Sequence, residues 1–252
     1  MEVHHHPHAE KKSFKEYFFD FIMIFLAVTL GFFAENVRET ISDKKHINEY
    51  MASMISDLKS DVKLYAYFDS VNLSYCGMVD TIFASLESDH PNTGKVYYLG
   101  RRLTMMGSLT SSINAKTYLQ MTSTGAFRLV KKQKVADSIA FYYQQIRSFD
   151  NWSDLQRARI NNIIGINEKI FDAGVFLNVY KAVSADKDSL QKIIDSHPPL
   201  LSTNKADINA VLMQYQYFYG FMKLMNGRYD LASSQAKKLI TLLEKEYGAQ
   251  KE

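Results

Sequence analysis

Residues 17–35 read YFFDFIMIFLAVTLGFFAE, and this stretch decides the architecture. From Phe21 to Ala34 no side chain is charged, and Thr29 is the single polar one. Phe18 and Phe19 extend the apolar zone, which Asp20 interrupts near its start. A helix crossing a bilayer needs about 17–25 mostly apolar residues, so one spanning helix fits. Asp20 lies where a carboxylate reaches the headgroup layer or a protein partner; at the bilayer centre it would be costly. A cleaved signal peptide fits poorly, because Gly31-Phe32-Phe33-Ala34-Glu35 lacks a small-x-small cleavage pattern. A buried soluble helix is usually shorter and less Phe-rich. The reading is an uncleaved helix whose first partner is the lipid bilayer.

The flanks set the expected orientation. Lys11, Lys12 and Lys15 precede the segment, and Arg38, Lys44 and Lys45 follow it. These equal numbers leave the positive-inside rule undecided. The preceding lysines lie closer, and the amino terminus adds a charge. The expectation is therefore a His/Lys-rich cytoplasmic tail over 1–16, an inner-membrane span over 17–35, and a helical, periplasmic domain over 36–252.

One face of the span stands apart. Asp20, Ile24, Ala27, Gly31 and Ala34 are spaced 4, 3, 4, 3, which keeps them on one stripe. Ala27-x-x-x-Gly31 is a small-xxx-small pair, and such residues let two backbones approach closely in lipid. Bulky Phe21, Phe25, Phe32 and Phe33 lie elsewhere. The stripe is the expected oligomer interface, with a second copy or another membrane protein.

Beyond Glu35 the chain reads as all-α: an elongated bundle of about three to four long helices. Ile47, Met51, Met54, Leu58, Val62, Tyr65 and Phe68 follow helical spacing. A break is expected near residues 40–43, and a stop at the breaker cluster 88–94. Val96-Tyr97-Tyr98-Leu99 looks strand-like but short. Gly100, Gly107 and residues 108–112 read as turns, and residues 115–121 as a short helix. Helical spacing resumes at Val135, Ile139, Tyr142, Ile146 and Phe149. A further helix follows near Val175, then a short one stopped by His197-Pro198-Pro199. The last begins after the cap-like Thr203-Asn204, with a kink expected at Asn226-Gly227.

Composition narrows the function. The 252 residues carry a net charge of +3, which is too mild to argue for nucleic acid. A single cysteine, Cys76, excludes an intramolecular disulfide and a Cys-cluster zinc or Fe–S site; it reads as core. His4, His5, His6 and His8 form a cluster able to bind a divalent transition metal weakly. Asp57 and Asp61, one helical turn apart, read as a solvated charged face rather than an acid–base pair. The string Tyr215-Gln216-Tyr217-Phe218-Tyr219 reads as packed core, and the basic run Lys131-Lys132-Gln133-Lys134 as solvated surface. No nucleophile elbow, zinc-protease motif, dinucleotide fingerprint or kinase signature occurs. The expectation is no enzyme and no resident cofactor.

Several segments together resemble a known family. They are His4-His5-His6-Pro7-His8, the run from Lys11 through Phe18, and the run from Phe21 through Asn36. Met54-Ile55-Ser56-Asp57-Leu58-Lys59-Ser60-Asp61, the stretch from Tyr118 through Val130, and Tyr142-Tyr143 add to it. They resemble a family of membrane proteins of Bacteroidetes-type bacteria to which no activity is assigned. The resemblance implies a native His cluster and an uncleaved membrane helix, and it supplies no catalytic residue. The expected role is a structural or accessory subunit of an envelope complex, working through protein–protein contacts. The alternatives are an extracytoplasmic sensor signalling through a partner, and a homo-oligomeric channel. Thr29 lies off the Asp20 stripe, which counts against a lumen lined by both.

Overall fold

The computed structural model describes residues 13–105 and 113–248. Every regular element among them is helical: α1 Phe14–Leu86, α2 Thr93–Thr104, α3 Lys116–Ser123, a 3-10 turn Ala126–Leu129, α4 Gln133–Asn167, α5 Ala173–Ala185, α6 Lys187–Asp195 and α7 Lys205–Tyr247. The expected all-α class and its three long helices, α1, α4 and α7, are present. Packing divides the chain into two units, residues 1–50 and 51–252.

Within the first unit α1 has no break at residues 40–43. Thr40 turns its hydroxyl back onto the Asn36 carbonyl, 2.8 Å away, so its polarity is satisfied inside the helix.

The second unit is a bundle of α1 from Met51 onward, α4 and α7. Lys59 meets Glu244, Tyr65 meets Tyr229 and Asn72 meets Asn226, so α7 runs antiparallel to α1. Lys132–Glu246, Phe149–Tyr229 and Asn167–Tyr215 set the same relation between α4 and α7. Met51, Met54, Leu58, Tyr65, Ile82, Ile139, Tyr142, Phe218 and Leu243 are fully or almost fully buried, and Cys76 is core as expected.

Short helices close one end of the bundle. Tyr97 of α2 donates to the Pro199 carbonyl and accepts from the Asp172 amide, both at 2.9 Å. The strand-like 96–99 is therefore helix. Val96 and Tyr97 are buried, and the Asn92 side chain caps the α2 amino end by accepting from the Lys95 amide at 2.8 Å. Burial on one helical face overrides the strand propensity of these residues. Gly100 lies inside α2, where a Cβ would fall 2.7 Å from the Phe171 ring; it is a contact point rather than a turn. Asp172, Asp186 and Asn204 cap α5, α6 and α7. Asn226-Gly227 does not break α7, which runs on through it with Asn226 buried and bonded across to Asn72. Gly107 and residues 108–112 lie outside the described residues.

Gly94 shows how tightly α2 sits. A Cβ there would lie 2.5 Å from the carbonyl oxygens of Ile193 and Ile194 in α6. Backbone cannot yield as a flexible side chain does. Gly94→Ala is expected to cost about 1–3 kcal/mol, as overpacking does, despite alanine's better helix propensity. Thermal unfolding of the full chain in detergent checks this; an unchanged or raised midpoint contradicts it.

Candidate functional site

The first candidate is the surface of α1 in the first unit. At about 100° per residue, Asp20, Ile24, Ala27, Gly31 and Ala34 share one face of this helix. Ile24 is 66% exposed, and a Cβ on Gly31 would meet no atom within 4 Å. Asp20 is half-buried and already engaged within the chain. Thr29 donates to the Phe25 carbonyl at 2.7 Å, which hides its hydroxyl from an apolar surrounding. The most apolar 18-residue window of α1 has no buried residue, and this helix is long and apolar enough to cross a membrane. Glu35 and Arg38 form an ion pair at its polar end, with Nε 2.9 Å from Oε2.

The second candidate was read as solvated face, and the structure corrects this. Asp61 is fully buried, with no exposed surface. Its Oδ1 accepts from the Asn114 amide at 2.8 Å and from Asn114 Nδ2 at 3.3 Å. Its Oδ2 accepts from the Tyr142 hydroxyl at 3.2 Å, and the Tyr65 hydroxyl lies 3.0 Å from that of Tyr142. One turn earlier, Asp57 Oδ2 accepts from the Thr117 amide at 3.1 Å and the Thr117 hydroxyl at 2.6 Å. Thr117 is in the first turn of α3, whose own N-cap residue, Ala115, has no side chain able to cap. Asp57 supplies that cap from another helix, where a carboxylate also complements the positive end of the helix dipole.

The two carboxylates therefore grip the start of α3. Around them Tyr118 of α3 stacks on Tyr143 of α4 at 4.3 Å, and Phe127 meets Tyr118 edge-on at 5.9 Å. Burial pushes the Asp61 carboxyl up to about 6; its hydrogen bonds from Asn114 and Tyr142 pull the other way without matching it, and Asp57 adds a small like-charge push. Burial also raises the phenols of Tyr65, Tyr142 and Tyr143. Tyr142 additionally lines a groove of about 550 Å³ between α4 and α7, whose rim carries Lys134, Lys238 and Lys245. The cluster can hold or release one proton around pH 6, and the Thr117 and Tyr142 hydroxyls each donate to one of its carboxylates.

Other expected sites fall out differently. His4, His5, His6 and His8 lie outside the described residues. Among the described residues no group of three or more His, Cys, Asp or Glu side chains is placed to share a metal ion. In the aromatic string Tyr215 and Phe218 are core, but Tyr217 is 45% exposed. In the basic run Lys132 pairs with Glu246 rather than standing alone in solvent. No family model matches the chain, and no curated protein or solved structure matches it.

Proposed function

We propose that this is a single-pass protein of a bacterial inner membrane, acting through protein–protein contacts as a structural or accessory subunit of an envelope complex. The observation that supports this reading is the uncovered apolar face of α1. Its large side chains find no cover among the described residues, and lipid or another spanning helix is the medium that would accept them. In this reading residues 1–16 are cytoplasmic, 36–252 are periplasmic, and the chain belongs with the membrane-protein family that its N-terminal segment resembles. The stripe Asp20, Ile24, Ala27, Gly31 and Ala34 joins spanning helices, and no catalytic role is proposed.

The test is the mass and composition of the complex extracted gently from its native membrane. A defined multiple of 29.0 kDa, or a stoichiometric second protein, is the expected result; a lone monomer overturns the reading. Ala27→Leu combined with Gly31→Leu should reduce a self-assembled complex to monomers, because two leucines hold the backbones apart. Retention of the wild-type mass removes the stripe as the interface.

A further inference from the structure

The groove between α4 and α7 encloses about 550 Å³, within the roughly 300–1,000 Å³ of small-molecule sites. Its floor is apolar: Tyr142 and Leu239 are buried, Leu242 is half-buried, and Phe141 is 53% exposed at the edge. Two hydroxyls on the walls are already engaged. Ser138 donates to the Lys134 carbonyl at 2.7 Å, and Thr241 to the Lys237 carbonyl at 3.0 Å. Neither has a proton left to give into the groove. The rim is cationic. Lys134 stands on α4, Lys238 and Lys245 on α7, and none of the three has an ion pair among the described residues. The acids nearby in sequence are engaged with other groups: Asp137 with Gln133, Glu244 with Lys59, and Glu246 with Lys132. The hydrogen bond from Lys132, with the charges of Lys132, Lys245 and Lys134, holds the Glu246 carboxyl below its ordinary range. Lys132 balances Glu246, which leaves Lys134 and Lys245 uncompensated.

We propose that this groove binds a single-chain anionic amphiphile, a long-chain carboxylate, with its head at Lys134 and Lys245 and its chain along Leu242, Leu239 and Phe141. Charge complementarity places the head. Lys132 on α4 pairs with Glu246 on α7, so Lys134 and Lys245 stand at the same end of these antiparallel helices. Two ammonium groups there can donate to the two oxygens of one carboxylate. The floor selects the tail. An inorganic anion would leave Phe141 and Leu242 in water, and an uncharged chain would leave the lysines unanswered. Length follows from the walls. Lys134 to Phe141 and Lys238 to Lys245 each advance about 10 Å at 1.5 Å per residue. An extended chain gains about 1.2 Å per bond, so roughly ten carbons fill the groove. Every lining residue belongs to the second unit, so the site does not depend on how the first unit meets a membrane.

The full chain in discs of neutral phosphatidylcholine is photolysed with a diazirine-bearing decanoate, and labelled peptides are located by mass spectrometry. Label within 17–35 reports probe dissolved in the lipid and serves as the reference. The expected result is further, saturable label within 134–142 and 235–245 that unlabelled decanoate displaces. Lys134→Gln combined with Lys245→Gln should raise the decanoate needed for half displacement about tenfold, the effect of one charge-assisted hydrogen bond. Lys237→Gln removes the same kind of charge from a residue that does not line the groove, and should change nothing. Phe141→Asp sets a carboxylate on the exposed edge of the floor and should abolish the groove label while helix content by circular dichroism is kept. Label confined to 17–35, displacement by decanol or inorganic phosphate as effective as by decanoate, no change in the double lysine variant, or groove label that survives Phe141→Asp overturns the proposal.

Discussion

Asp61→Asn is expected to stabilise the protein at pH 8 and to leave its stability at pH 4 almost unchanged. The sign follows from burial. Asp61 has its carboxyl raised to about 6 in the folded chain, against an ordinary value near 4 when unfolded. Between those values the folded state holds a proton that the unfolded state has lost. Stability from this group is therefore complete below about pH 4, falls as pH rises to about 6, and is flat and lower above. Two pKa units correspond to roughly 2–3 kcal/mol. The replacement amide has nearly the same shape, its oxygen keeps the Asn114 contact, and it has no charge to desolvate. Thermal unfolding of both chains in detergent from pH 4 to 8 checks this. The difference between them isolates the group, because Asp186 and Glu246, whose carboxyls are lowered by hydrogen bonds, titrate alike in both. A pH-independent difference, or a loss of stability at pH 8, refutes the argument.

The misreading of Asp61 has an identifiable cause. Spacing from Leu58 to Tyr65 is satisfied by a step through Val62 or a step through Asp61, and hydrophobicity favours valine. The structure takes the other step: Leu58, Asp61, Tyr65, Phe68, Asn72 and Cys76 are the buried line, and Val62 is half-exposed. Binary patterning reads only apolar residues, so it cannot see a polar residue whose partners arrive from elsewhere in the chain. Asn114 and Tyr142 lie 53 and 81 positions away. The same blindness explains Asn226, taken for a breaker beside Gly227. Its partner Asn72 is 154 positions distant, and a buried polar pair of this kind fixes the register of two helices. By contrast the long apolar stretch of α1 was plain in the sequence, because length and apolarity are local properties. The cap of α7 was legible for the same reason: Asn204 accepts from the Ala206 amide two residues on.

Tyr229→Ala is expected to cost the most of any single truncation in the bundle. The Tyr229 ring lies 6.1 Å from Tyr65 and 5.4 Å from Phe68, both on α1, and 5.6 Å from Phe149 on α4. It is the one side chain of α7 in ring contact with both other long helices among the described residues, and it is 2% exposed. Truncation loses its transfer free energy and leaves a cavity that three rings from two helices would have to collapse to fill. Large-to-small aromatic changes in such cores cost about 3–5 kcal/mol, against a total of about 5–15 kcal/mol for a domain. Tyr229→Phe keeps the rings packed and should cost far less. Leu224→Ala, five residues earlier on the outer face, should fall within about 0.5 kcal/mol in the monomer. Guanidinium denaturation of the three variants in detergent reads all of this from the midpoints. Equal losses for Tyr229→Ala and Leu224→Ala would mean that α7 does not divide its faces between bundle and outside as described, and would undo the fold argument.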